Sequence, residues 1–137
     1  MKKKIVIGVM LTIFLLFSSI KASDKEKVVS GEKYNKVVDN LIVGVESQND
    51  GLRISSAFHL GEYKATRSVI ALMRILHDDK NENARISAAL ALIKVGDARG
   101  TYAVKRAAVF DESERVKRVC EKFYLDYLQK QKASWIL

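Results

Sequence analysis

The sequence predicts an all-α fold, a short α-solenoid of about two and a half helical hairpins. Three observations point to it: apolar residues recur at helical spacing over most of the chain, proline is absent, and the segment 53–60 is repeated at 85–92. The length of 137 residues suits a single globular domain. The composition excludes collagen, a disulfide-stabilised scaffold and a disordered chain.

The segment 1–22 has the three zones of a secretory signal peptide. Three lysines precede an apolar run at 5–17, and smaller residues follow it. Such a run forms about 20 Å of helix, which is short for a bilayer core of about 30 Å. The sequence therefore predicts export to the periplasm or the medium, with cleavage after Ala22, or alternatively after Ser19 or Ser23. An uncleaved membrane anchor is the alternative.

Removal of this leader changes the charge of the chain. The whole sequence has 24 basic and 16 acidic residues, a net charge of +8, which would suit a polyanionic partner. Four of the basic residues lie in the leader, which contains no acid, so its removal lowers the balance to +4. The basic excess therefore indicates export more than it indicates nucleic-acid binding.

Six helices are predicted after a polar linker at residues 23–33. The first, at about 31–47, has one apolar face, formed by Tyr34, Val37, Val38, Leu41, Ile42 and Val45. The others are expected at about 52–62, 65–76, 84–95, 98–109 and 112–131. The fourth helix is apolar on nearly every side, which predicts a place in the middle of the stack. The repeat domain is expected to span 34–131, with a tail at 132–137.

The internal repeat defines the structural unit. The segments 53–60 and 85–92 are identical at five of eight positions. A weaker third copy begins at Arg115, and the sequence separation of Arg85 and Arg115 is slightly shorter than that of Arg53 and Arg85. The repeating unit is therefore a helical hairpin, and its length in residues is about the sequence separation of Arg53 and Arg85. Such hairpins bury their apolar faces only by stacking on their neighbours.

In this pattern the chain resembles the short HEAT-like repeats of phycobiliprotein bilin lyases. The matching residues begin the repeated helices or lie in the turns: Arg53, Ser56, Ala57, Leu60, Asp79, Arg85, Ala88, Ala89, Leu92, Gly96, Asp97 and Asp111. The resemblance covers about residues 34–128. It implies a ladder in which Arg53, Arg85 and Arg115 each bridge to an acid of an adjacent turn, such as Asp79, Asp97 or Asp111.

The sequence indicates no catalytic, metal-binding or cofactor-binding site. His59 and His77 are the only histidines, and neither has a cysteine or an acid at metal-ligand spacing. Haem, phosphate-loop and nucleophile-elbow motifs are absent from the sequence. The single cysteine, Cys120, lies in an apolar helical stripe, so we expect a buried thiol and not a reactive one.

Basic residues of the fifth and sixth helices are the candidate partner-binding surface: Arg99, Lys105, Arg106, Arg115, Lys117, Arg118 and Lys122. The alternative is that those of the sixth helix are its ordinary solvated face. Trp135, in the tail, either covers an end of the solenoid or anchors a partner.

These features predict an exported, non-enzymatic scaffold that binds a protein or peptide of the bacterial cell envelope without a cofactor. A bilin-handling enzyme and a basic solenoid that binds nucleic acid are the alternatives. Export argues against both, because their substrates lie in the cytoplasm. The partner, its binding face and the oligomeric state are left open by the sequence, and membrane contact is expected only if the leader is retained.

Overall fold

The computed structural model describes residues 31–134, which contain no strand. The helices are α1 (Gly31–Val45), α2 (Asp50–Glu62), a 3-10 turn (Thr66–Ser68), α3 (Val69–Asp78), α4 (Glu82–Val95), α5 (Ala98–Phe110) and α6 (Glu114–Ser134). In this part of the chain no helix combines the length and the hydropathy of a membrane span. The leader and Trp135, on which two predictions rest, lie outside the described residues.

The helices stack in two layers. The helices α2, α4 and α6 lie in one layer, and α3 and α5 lie in the other, with α3 against α4 and α5 against α6. The first helix joins the layer of α3 through two ion pairs, Asp39 with Arg67 and Glu46 with Arg74. Every residue of its predicted apolar face is buried or half-buried. The fold is therefore a short all-α solenoid, as the sequence predicted.

The central helix of the stack is α4, which contacts α2, α3, α5 and α6. Its buried residues are distributed around the helix: Ala84, Arg85, Ala88, Ala89, Ala91 and Leu92. Four of these six are alanines, whose small side chains let neighbouring helices approach closely. The predicted central position of this helix is confirmed.

The turns α1–α2, α3–α4 and α5–α6 join the two helices of each hairpin. Corresponding positions in these three turns are separated by the same number of residues as Arg53 and Arg85. Each turn begins with a side chain that accepts a hydrogen bond from the backbone N–H two residues later: Ser47 from Asn49, Asp79 from Asn81, and Asp111 from Ser113. The residue that donates this bond then caps the following helix with its own side chain. Because the three turns have the same length, α2, α4 and α6 begin at equivalent positions, Asp50, Glu82 and Glu114.

Four helix starts differ from the prediction: α2 and α4 begin two residues earlier, and α3 and α6 begin later for local reasons. The third helix opens with a 3-10 turn, in which the Ser68 hydroxyl donates to the Ala65 carbonyl at 2.7 Å. The sixth begins at Glu114 and not at 112, because the side chain of Asp111 binds the backbone N–H of Ser113. The predicted stop at Gly96 is confirmed, since this glycine has a positive φ of 75° after α4.

The close contact of α2 with α4 gives a test of the stacking. A Cβ added at Gly61 would lie 2.7 Å from the Ala91 Cα, which is backbone and cannot rotate away. We expect Gly61→Ala to destabilise the protein by about 1–3 kcal/mol in urea unfolding, because the helices must separate. Gly31→Ala is the control, since no atom of the other helices in residues 31–134 lies within 4 Å of its added Cβ. Equal stability of the two variants would contradict this packing.

Candidate functional site

Two arginines connect successive hairpins in the same way. Arg85 donates from Nε and Nη2 to the carboxylate of Asp111, at 3.0 and 2.9 Å, and from Nη1 to the Asp79 carbonyl at 2.7 Å. Arg53 donates to the carboxylate of Asp79, at 2.7 and 3.1 Å, and to the Ser47 carbonyl at 3.0 Å. The expected pairing of a repeat arginine with an acid of an adjacent turn is therefore present at both positions.

Asp79 belongs to both of these contacts. Its carboxylate accepts from Arg53, while its backbone carbonyl accepts from Arg85. The side chains of Asp79, Arg85 and Asp111 are only 7%, 3% and 6% exposed. Two-point pairing of a guanidinium with a carboxylate is strongly directional, so this relay of Arg53, Asp79, Arg85 and Asp111 fixes the spacing of the turns.

The relay favours the charged forms of Asp79, Arg53 and Arg85. Burial by itself raises the pKa of Asp79, but hydrogen bonds from Arg53 and from the Asn81 backbone outweigh it, so the pKa lies below its ordinary value. The pKa of Arg53 is raised because Asp79 accepts its hydrogen bonds. Burial opposes the charge of Arg85, yet the bonds to Asp111 raise its pKa above the usual value.

The third repeat copy requires a correction. The position of α6 that corresponds to Arg53 and Arg85 is Lys117, because the turn before α6 is as long as the earlier turns. The sequence comparison assigned Arg115 to this position. That assignment is wrong, because Arg115 lies two residues before Lys117. The side chain of Arg115 is 54% exposed and lies 3.3 Å from the Glu82 carboxylate. Arg115 therefore forms a surface ion pair outside the relay.

The other repeat positions are placed as follows. Asp97 caps α5 and pairs with Arg99 at 3.0 Å, so it is not the acid of a buried arginine. The small and large apolar positions of the repeat are buried in the core: Ala57, Leu60, Ala89 and Leu92.

A cleft of about 840 Å³ lies between α3 and α5. Met73 and Leu76 contribute apolar surface from α3, and Ala103 and Ala107 do so from α5. The turns at 78–80 and 111–112 line one end, together with the relay residues Asp79, Arg85 and Asp111. The relay that spaces the hairpins is therefore part of the cleft.

Two aromatic rings of α5 are exposed in this cleft. Tyr102 is 60% exposed and Phe110 is 72% exposed. Arg106 lies between them along the helix, with its guanidinium carbon 5.2 Å from the centre of the Phe110 ring. A cation–π contact of this kind orients the guanidinium beside the ring. Exposed rings in a concave surface are typical of a binding site.

The charges of the cleft are unevenly compensated. The acids that line it are compensated to different degrees: Asp79 pairs with Arg53, Asp111 and Glu112 share Arg85, and Asp78 contacts the uncharged ring of His77, next to it in sequence. By contrast, Lys80 and Arg106 form no ion pair with any carboxylate of residues 31–134. The cationic and carboxylate side chains that line the cleft are equal in number, but the carboxylates lie at the turn end, whereas Arg74 and Arg106 lie on the helical walls.

The basic residues predicted for partner binding lie on α5 and α6. Of these, only Arg106 lines the cleft. Four others contact groups of the same hairpin: Arg99 pairs with Asp97, Lys105 lies over the Tyr124 ring, Lys117 pairs with Glu114, and Lys122 pairs with Asp126. The sequence did carry a signal for the cleft, because Tyr102, Arg106 and Phe110 are spaced by four residues on one helical face.

The register also accounts for two basic residues of α6. Arg118 has the position of Ile54 and Ile86 in the earlier hairpins, and Lys122 has that of Phe58 and Leu90. At the α2–α4 contact, Ser87 donates a hydrogen bond to the Ile54 carbonyl at 2.9 Å, so Ile54 lies between hairpins. At these positions α6 therefore exposes polar side chains where the earlier hairpins have apolar ones.

Cys120 is completely buried against the core. It occupies the register position of Ser56 and Ala88, which are also buried. Burial disfavours the thiolate and, with the charge of Asp111, raises the pKa of the thiol to about 12. The predicted buried thiol is confirmed.

The relay predicts a large, specific loss of stability when one partner is removed. We expect Arg85→Ala to cost about 3–5 kcal/mol in urea unfolding, because the buried Asp111 carboxylate loses its partner. The control Arg115→Ala removes an exposed pair and should cost about 1 kcal/mol or less. A double-mutant cycle with Asp111→Ala measures the coupling. A cost for Arg85→Ala no larger than that of the control would contradict the relay.

Acid should weaken the relay through Asp79. Because the pKa of this group is lowered on folding from 3.8, its stabilisation is complete well above pH 3.8 and is lost as the pH falls through the folded pKa. Urea unfolding from pH 7 downward should therefore show less loss of stability below about pH 4 in Asp79→Asn than in the unsubstituted protein. Identical acid profiles would rule out this contribution.

The comparisons with known proteins agree with this geometry. Residues 38–122, which run from α1 into α6, match HEAT repeats. A search of curated proteins found no match to the sequence. HEAT repeats are stacked helical hairpins that act as scaffolds for protein interaction, and the match covers more than half of the chain. This protein therefore belongs to the HEAT-repeat family.

Proposed function

We propose that this protein is an exported, non-enzymatic scaffold whose α3–α5 cleft binds a segment of another protein of the bacterial cell envelope. One observation carries the proposal: Tyr102 and Phe110 expose their rings in a cleft with helical walls. Burial of these rings by a partner would be favourable, since each aromatic side chain carries a large apolar area.

The size of the cleft favours a peptide segment as the ligand. Its volume of about 840 Å³ is within the range of sites that enclose a few side chains of a partner. Val109 on α5 and Ile70 on α3 are 60% and 54% exposed, and Ile70 has the register position of Tyr102 one hairpin earlier. These residues add apolar surface to the layer that contains the cleft.

The internal contacts of the cleft support recognition and not catalysis. Asp79 and Asp111 each receive two hydrogen bonds from an arginine, which fixes them as structural groups. A general acid or base needs a group that is free to exchange a proton with a substrate. The relay therefore supports rigid walls for a binding site.

Export rests on the sequence of the leader alone. The segment 1–22 combines a basic start, an apolar run at 5–17 and a short stretch of smaller residues that ends at Ala22. A processed protein would begin at Ser23 and meet its partners outside the cytoplasm.

Crosslinking in cells tests this function. A photoreactive p-benzoylphenylalanine in place of Tyr102 should form one defined adduct in the envelope fraction, because the ring position contacts the partner. The same residue in place of Lys130, which is exposed on α6, is the control and should not form this adduct. The measurement is the mass and sequence of the crosslinked peptides.

Two results would contradict the proposal. Equal adducts from both positions would show that contact is not specific to the cleft, and the lack of any adduct from position 102 would show that the cleft is not a binding site. The same samples test export, because the protein should be recovered with Ser23 at its N-terminus. Recovery of the intact chain from the cytoplasm would refute that part.

A further inference from the structure

We propose that the ligand of the α3–α5 cleft is an acidic peptide segment that carries a large apolar side chain beside its carboxylates. This inference rests on the proposed function and names the chemistry of the partner. It follows from the positions of the uncompensated charges and from the apolar surface between them.

Guanidinium groups flank the cleft on both sides. Arg74 of α3 and Arg106 of α5 both line it, and they hold the same register position on facing helices. The ion pair of Arg74 with Glu46 is 3.3 Å long, and both side chains are about 60% exposed. Such exposed pairs are weak, so Arg74 can bind a carboxylate of a ligand at little cost.

Arg106 is the cation best prepared for a ligand. It has no carboxylate partner among residues 31–134, and the Phe110 ring already orients its guanidinium. A planar guanidinium binds a carboxylate through two parallel hydrogen bonds. Lys80, at the turn end of the cleft, adds a second cation without a carboxylate partner in the described part of the chain.

The acids that line the cleft favour a basic ligand less than its cations favour an acidic one. Asp79 and Asp111 are buried and already bound by arginines. Asp78 and Glu112 are exposed, but both lie at the turn end, next to His77 and Arg85. A basic peptide would therefore meet carboxylates at that end of the cleft, whereas an acidic peptide meets Arg74 and Arg106 on the helical walls.

The apolar surface of the cleft requires a ligand that carries an apolar side chain as well as charge. Met73, Ala103 and Ala107 are half-buried between the walls, with the exposed rings of Tyr102 and Phe110 beside them. A phenylalanine or leucine side chain of the ligand can pack against this surface while its neighbouring carboxylate reaches Arg106. The site therefore fits alternating acidic and apolar residues.

The test uses three synthetic pentapeptides with blocked ends. The probe is Glu-Phe-Glu-Leu-Glu; one control replaces the glutamates with lysine, and the other replaces the phenylalanine and leucine with alanine. Each is titrated into the isotope-labelled protein and followed by ¹H–¹⁵N correlation spectra. We expect the probe to bind most tightly and to shift the amide signals of residues 73–80 and 102–112.

Two charge-matched variants separate a specific contact from general attraction. Arg106→Gln should weaken binding of the probe about tenfold, the effect expected for loss of a hydrogen bond to a charged group. Arg118→Gln removes the same charge from the exposed surface of α6 and should leave binding nearly unchanged. Amide spectra of the free variants verify that both are folded.

Several outcomes would overturn the proposal. These are no binding of the probe, equal binding of the lysine peptide, equal losses in the two variants, or an oligonucleotide that binds the same residues as tightly as the probe. If crosslinks still form from position 102 in these cases, the scaffold function stands and only the ligand chemistry is wrong. If the probe binds but no adduct forms in cells, the proposed function fails.

Discussion

The guanidinium of Arg85 binds two turns of the chain at once. It donates to the Asp79 carbonyl in the turn before α4 and to the Asp111 carboxylate in the turn before α6. The carboxylate of Asp79 is in turn held by Arg53. A buried charge is tolerated only when its hydrogen bonds are complete, and no buried side-chain nitrogen or oxygen of residues 31–134 lacks a partner. The spacing of the hairpins therefore depends on this relay.

The relay matters for function because it sets the walls of the cleft. Its acids lie in the turns that follow α3 and α5, so the same contacts that join the hairpins also place these two helices side by side. Small residues of α4 permit the layers to approach, and Tyr102 and Arg106 line the gap between α3 and α5. A rigid cleft binds a ligand with little loss of conformational entropy.

Much of this fold could be predicted from the sequence, because the match of Arg53 with Arg85 reports the period directly. The third copy could not, since residue identity favours Arg115 whereas the turn geometry selects Lys117, and an arginine-to-lysine change hides the register. The cleft was also missed. Its walls come from helices of successive hairpins, and only their packing shows that Arg74 and Arg106 share it.

Hydrogen exchange of the Arg85→Lys variant tests the central claim most directly. A lysine cannot hold the Asp79 carbonyl and both oxygens of Asp111 together. Amide exchange at 79–81 and 111–113 should therefore become faster in both turns, while the amides of α1 keep their protection. If exchange in the two turns is unchanged, or if it rises equally throughout residues 31–134, the relay does not set the spacing of the hairpins.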